Sequence, residues 1–274
     1  MQSRNPAFAR SAGFNGKNTP AQTDPSQWQI DLNGGGPPQS LTGDRRMTID
    51  SVVEKTAITL GLLIVSAGAA WIFIGDLTDA NLGKAYGLAL GGALIGFALS
   101  MVNSFKKVVS PPLVLAYAVV EGVFVGAFSK VIVAQFAQGS PDIVFGAVLG
   151  TMAAFGGTLA AYKFFDIQVT PKFRKVVMAS MFGFIGVALL DMVLGFFGAS
   201  FGFNGFGPMG LLSSGIAVVI AVFMLIMDFD YVERGVAAGL PERESWRAAF
   251  GLTVTIIWLY IEILRILAIL RGND

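Results

Sequence analysis

The sequence contains no cysteine and no histidine. The first absence removes a disulfide framework and a thiol nucleophile. The second removes the imidazole switch, and together they remove the ordinary zinc ligand sets. Any proton chemistry near neutral pH therefore falls to carboxylates. Charge is also scarce. Asp, Glu, Lys and Arg make up 14% of the 274 residues and nearly cancel to a net +1, which leaves no basic face of useful size for nucleic acid. No nucleophile–base constellation and no clustered metal-ligand set is visible, so neither an enzyme nor a bound cofactor is expected, and a metal site is left unassigned.

What fills the chain is apolar. Hydrophobic residues reach 54%, with 34 glycines and a mean hydropathy of +0.67, a composition of close-packed helices in lipid rather than of a soluble domain. Apolar runs follow one another at about 56–75, 85–102, 112–134, 143–162, 176–198, 209–229 and 250–270. Each is long enough to cross a hydrocarbon layer of roughly 30 Å, and the connections leave no room for a second soluble domain. The reading is an all-α, polytopic integral membrane protein with a seven-helix transmembrane domain over 51–271. Residues 1–50 are polar and rich in Gly, Pro, Ser, Asn and Gln, which predicts a disordered cytoplasmic tail. The tail lacks the basic start and prompt apolar run of a secretory signal.

Basic residues set the orientation. With the N-terminus inside, the inner side collects Arg4, Arg10, Lys17, Arg45, Arg46, Lys55, Lys106, Lys107, Lys163, Lys172, Arg174, Lys175, Arg234, Arg243 and Arg247, while the outer side holds Lys84, Lys130 and Arg271. The expected topology is N-in, C-out. Small residues at four-residue spacing, Gly87/Gly91, Gly92/Gly96, Gly122/Gly126 and Gly146/Gly150, read as helix-packing seams. The uncharged stretch Gly198–Gly207 reads as a short interfacial loop with its phenylalanines at the lipid boundary.

Intramembrane charges are few enough to weigh singly. The last span, GLTVTIIWLYIEILRILAIL, carries Glu262 and Arg265. Charges at such depth cost a few kcal/mol even on lenient insertion scales, so this helix should be surrounded by the others. The two residues lie on one face and can form a structural ion pair. Glu121 falls near the middle of span three, a turn after Tyr117, and reads as either a hydrogen-bonded structural acid or part of a polar path. Asp191 lies in the outer half of span five, where interfacial water is within reach. Span six closes on MLIMDFDYVERG. Asp230 and Arg234 are one turn apart and can pair, whereas Asp228 points nearly the opposite way with no local base, making it the better candidate for a buried site. A D-x-D nucleotide or metal reading would need a soluble domain that is missing.

Three segments carry a resemblance: SPPLVLAYAVVEGVFVGAFSK (110–130), LIMDFDYVERG (225–235) and LYIEILRILAILR (259–271). In order and spacing they resemble the Bax inhibitor family, the transmembrane Bax-inhibitor-motif proteins, and most of all its bacterial YccA-like branch, over about 48–271. The resemblance implies a seven-helix fold with a central last helix and a pH-sensitive cation or calcium leak. It also implies a gate in which a carboxylate on helix six shares a proton with one on helix seven, here Asp228 and Glu262. A basic residue near the inner mouth would be Lys106 or Lys107. The chain departs from the family pattern in having Glu rather than Asp on helix seven, and in what reads as a longer connection between helices six and seven. Two facing carboxylates away from water cannot both ionise cheaply, so a shared proton would hold the helices together and its loss would push them apart. For Asp228 and Glu262 to meet, helix seven must begin near Glu242, after Pro241.

These readings converge on a cation leak (calcium or protons) gated by carboxylate protonation, in the plasma membrane (a bacterial inner membrane). Its rivals are a regulatory protein that binds other membrane proteins, such as a quality-control protease, and a proton-coupled secondary transporter. The sequence shows none of the inverted halves a transporter often has.

Overall fold

The structure is a computed structural model and describes residues 45–272. The tail expected over residues 1–44 lies outside the described residues. Seven helices follow one another: α1 (Ile49–Ile74), α2 (Asp79–Phe105), α3 (Pro111–Phe136), α4 (Asp142–Phe164), α5 (Pro171–Phe196), α6 (Pro208–Ala237) and α7 (Glu244–Gly272). All seven are long and apolar enough to span a membrane. Among the described residues no strand forms beyond an isolated bridge between Arg46 and Pro241.

The helix starts follow local chemistry. Helices α3, α5 and α6 each begin at a proline, where the missing N–H is no loss and φ is already helical. Helix α1 is closed by a reciprocal box in which Ser51 N donates to Thr48 Oγ1 and Thr48 N donates to Ser51 Oγ, both at 3.1 Å. The α1 C-terminus lacks a basic residue of its own. Lys84 of α2 donates to Phe73 O at 2.6 Å, and Lys130 of α3 donates to Trp71 O at 3.3 Å, so two cations from neighbouring helices cover its orphan carbonyls.

Helix α7 is the axis of the bundle, packing against α1, α3, α4 and α6. Of its most apolar window 67% is buried, against 44% for α3 and α6 and 11% for α5, so the helix that carries two charges is the one withdrawn from lipid. Polar pairs fasten it: Ser245 to Ser51 at 2.6 Å, Thr253 to Thr59 at 3.3 Å and Tyr260 to Ser129 at 2.7 Å.

Three of the four glycine seams are contacts. A Cβ at Gly122 or Gly126 would run into α1 backbone at Leu63 and Ala67, one at Gly92 would come within 2.9 Å of Phe124 Cβ, and Gly146 and Gly150 face Leu267 and Ile263 of α7 at 3.2 Å. The fourth expectation is corrected. Gly87 and Gly91 face open space, with nothing within 4 Å of where a Cβ would stand.

The boundary of the tail is also corrected. Residues 45–50 belong to the fold: Met47 N donates to Leu240 O at 2.7 Å, and the Met47 side chain is 1% exposed beneath the α6–α7 connection. That connection is short rather than long, covering 238–243. Helix α6 continues past the apolar run as a polar extension, and α7 starts within the turn that follows Pro241, close to the expected Glu242. All the helix ends next to basic connections lie on one face of the bundle, called here the basic face.

Candidate functional site

Helix α6 puts its two aspartates to different uses. Asp230 is 5% exposed and is held by Arg234 Nε at 2.8 Å and by Arg174 Nη2 of α5 at 3.0 Å, so the expected local pair gains a second arginine. Arg234 also donates to Val169 O at 2.9 Å. These bonds tie α6 to the α4–α5 connection. Asp228 faces α7 instead, where Thr255 Oγ1 lies 2.7 Å from its Oδ2 and 3.2 Å from Gly251 O. Among the described residues no cation pairs with Asp228.

The expected pairing of Asp228 with Glu262 is not formed. Thr255 and Glu262 occupy the same stripe of α7, but two turns, roughly 10 Å, separate them along the axis. Asp228 sits at the level of Thr255. Between the two levels Leu225 of α6 packs with Leu259 of α7, in one cluster with Ala221 and Ile256, three of the four with no exposed surface and Ile256 at 4%. The two acids are thus divided by a buried apolar layer.

Glu262 belongs to the far side of that layer and to Arg265. Its Oε2 stands 3.7 Å from Arg265 Nη1, and Trp258 Nε1 donates to its Oε1 at 3.3 Å. The arginine in turn reaches into the α5–α6 connection, donating from Nη2 to Phe203 O at 2.6 Å and Gly205 O at 2.7 Å. Gly210 makes this possible, since a Cβ there would collide with Gly205 O and come within 3.1 Å of Arg265 Nη2.

Asp191 grips the same connection from α5. Its two oxygens accept from the N–H groups of Phe201 at 2.8 Å, Gly202 at 3.2 Å and Asn204 at 2.9 Å, and from Ser200 Oγ at 2.9 Å. At 2% exposure this is a buried structural acid rather than one turned to interfacial water. The loop is therefore folded inward between a carboxylate that takes its N–H groups and a guanidinium that takes its carbonyls. Phe203 packs on Phe184, and Phe206 stacks on Phe136 at 4.5 Å. Of the phenylalanines expected at the lipid boundary, these two point into the protein.

The remaining candidates lie apart from Asp228. Glu121 extends toward α2, its carboxylate filling the space where a Cβ of Gly96 would be. Lys106 and Lys107 are exposed in the α2–α3 connection, and their backbone carbonyls, not their ammonium groups, meet α7: Arg247 Nη2 donates to Lys107 O at 2.8 Å. The basic residue that α7 sets against this connection is thus Arg247, held also by Glu244 at 2.7 Å. Thr255 and Arg247 escape a reading centred on acids. The signal for Thr255 is its place on the stripe that leads to Glu262. Among the described residues no group of three acids is assembled that could hold a metal.

Seven spanning helices around a buried, charge-bearing last helix define a multi-pass membrane protein whose polar groups are concentrated at the α6–α7 contact. A family model for Bax inhibitor 1 like proteins matches residues 5–272, nearly the whole sequence, and the chain belongs to that family. No curated protein matches closely enough to name a relative.

Proposed function

We propose that the protein is a pH-responsive cation leak in a bacterial inner membrane, with α6 and α7 as the moving pair. The observation that carries this reading is Asp228: a carboxylate at a helix contact with no cation beside it among the described residues, one turn from an apolar layer that separates it from Glu262. Intramembrane acids in such positions commonly mark ion or proton paths. Thr255 supplies the switch. With Asp228 protonated, the carboxyl can donate to the Thr255 hydroxyl while that hydroxyl donates to Gly251 O. With Asp228 ionised, the carboxylate and the Gly251 carbonyl compete for one hydroxyl proton, and the charge draws water or a cation into the contact. Separation of Leu225 from Leu259 then joins the two polar levels. Sharing of a proton between two carboxylates is not part of this mechanism, because Glu262 is engaged by Trp258 and Arg265.

The test is cation flux in proteoliposomes. Leu225→Ser and Leu259→Ser each place a hydroxyl in the apolar layer and are expected to raise flux at every pH without loss of fold. Unchanged flux in both, with folded protein in the vesicles, would remove the layer from the path and favour a role in binding other membrane proteins.

A further inference from the structure

Helix α5 makes its close backbone contacts with α6 and touches α7 through Phe184 on Trp258, and between α5 and α6 runs an apolar groove of about 1140 Å³. It extends from Phe173 and Phe223 near the basic face to Phe203 and Pro208 near the other, with Gly183 and Gly215 midway. Neither glycine has anything within 4 Å of where a Cβ would stand, so the helices do not close the gap themselves. Phe223 back to Pro208 is a rise of roughly 22 Å, more than the ~15 Å depth of one leaflet, which suits an extended acyl chain.

The mouth at the basic face carries charge of one sign. Helix α5 opens PKFRK with Lys172 and Lys175 exposed, and neither forms an ion pair among the described residues. Arg174 spends part of its fork on Asp230, yet its side chain remains 50% exposed. A second copy of the chain packed side by side would bring like charges against this mouth, which disfavours a dimer as the occupant. A phosphate there meets donors, while its chain meets only apolar wall.

We propose that this groove binds an anionic phospholipid from the leaflet at the basic face, with one acyl chain between α5 and α6 and the phosphate held by Lys172 and the free donors of Arg174. Basic mouths between spanning helices are suited to such headgroups. The site uses neither Asp228 nor Thr255, which do not line the groove.

Native mass spectrometry of the full chain in detergent, titrated with dioleoyl phosphatidylglycerol or dioleoyl phosphatidylcholine, tests it. The wild type should retain the glycerol lipid at a concentration lower by about fivefold for each basic residue engaged. Lys172→Gln should weaken that preference by about fivefold, lowering phosphatidylglycerol retention far more than phosphatidylcholine retention. Gly183→Leu with Gly215→Leu should fill the groove and reduce retention of both lipids. Ser180→Phe on the same wall does so with one change if the double variant fails to fold, as judged by its thermal transition. Equal retention of the two lipids by the wild type, an unaltered preference in Lys172→Gln, or undiminished binding by a folded groove-filled variant would each overturn the proposal.

Discussion

Arg265 and Asp191 show how single charges become affordable inside a bundle. Each meets backbone rather than water: the guanidinium satisfies carbonyls of the α5–α6 connection and the carboxylate satisfies its N–H groups. Arg265→Gln should therefore strand Glu262 and two carbonyls, costing about 3–5 kcal/mol as a marked fall in thermal stability in detergent. Arg265→Lys should recover only part of it, since an ammonium lacks the planar fork that spans Phe203 O and Gly205 O. Asp191→Asn replaces an acceptor of several N–H bonds by an amide that can take fewer, at a cost of about 1.5–3 kcal/mol. Wild-type stability in either the Gln or the Asn variant would mean the loop is held by its phenylalanines instead. The Arg265–Glu262 relation was legible from spacing. The grip on the loop was not, because a loop of Gly, Phe, Ala, Ser and Asn offers backbone partners, and backbone partners leave no mark in a sequence.

Among the elements, the helices and their order follow from the apolar runs, and the ends do not. Helix α1 begins at Ile49 because Thr48 and Ser51 close its first turn, and its buried Ser51 and Lys55 meet Ser245 and Trp246 of α7 and Glu242 just before it. A hydropathy pattern misses a polar first turn that buries its polar groups against another helix. The same blindness lengthened the α6–α7 connection and misplaced Glu262. Periodicity tells which face of α7 a residue occupies, but axial register depends on where both helices end. The stretches Asp228–Ala237 and Glu244–Thr255 are of similar length, so the chain doubles back to set Thr255, and not Glu262, against Asp228. Small-residue spacing was likewise incomplete evidence. It marked Gly126 and Gly87 alike, yet only the first is pressed on another backbone. Gly126→Ala is expected to force α3 from α1 and lower the thermal transition, whereas Gly87→Ala should be neutral or stabilise by up to ~1 kcal/mol through reduced chain entropy. Equal effects of the two changes would show that the α1–α3 contact yields easily.

At the scale of the whole molecule, the lopsided distribution of lysine and arginine predicts that the basic face is cytoplasmic. A reporter fused after Asp274 should lie outside and one inserted near Glu242 inside; both on one side would contradict the orientation. The absence of cysteine makes such labelling clean, since any introduced thiol is unique. Across this frame the α6–α7 contact offers one acid per level with an apolar layer between, and the leak reading stands on Asp228 being the group whose proton decides whether that layer holds. Thr255→Val keeps the shape but removes the hydroxyl, so it should leave the protein folded and alter the pH response in the same direction as a change at Asp228. Glu262→Gln, acting beyond the layer and next to Arg265, should chiefly lower stability. The most direct measurement is cation flux into liposomes carrying wild type or Asp228→Asn across about pH 5–8. Flux through the wild type should rise as Asp228 loses its proton, while the Asn variant, which keeps a hydrogen bond to Thr255 but cannot ionise, should stay low and flat. The same rise in both proteins would contradict the assignment of the switch to Asp228.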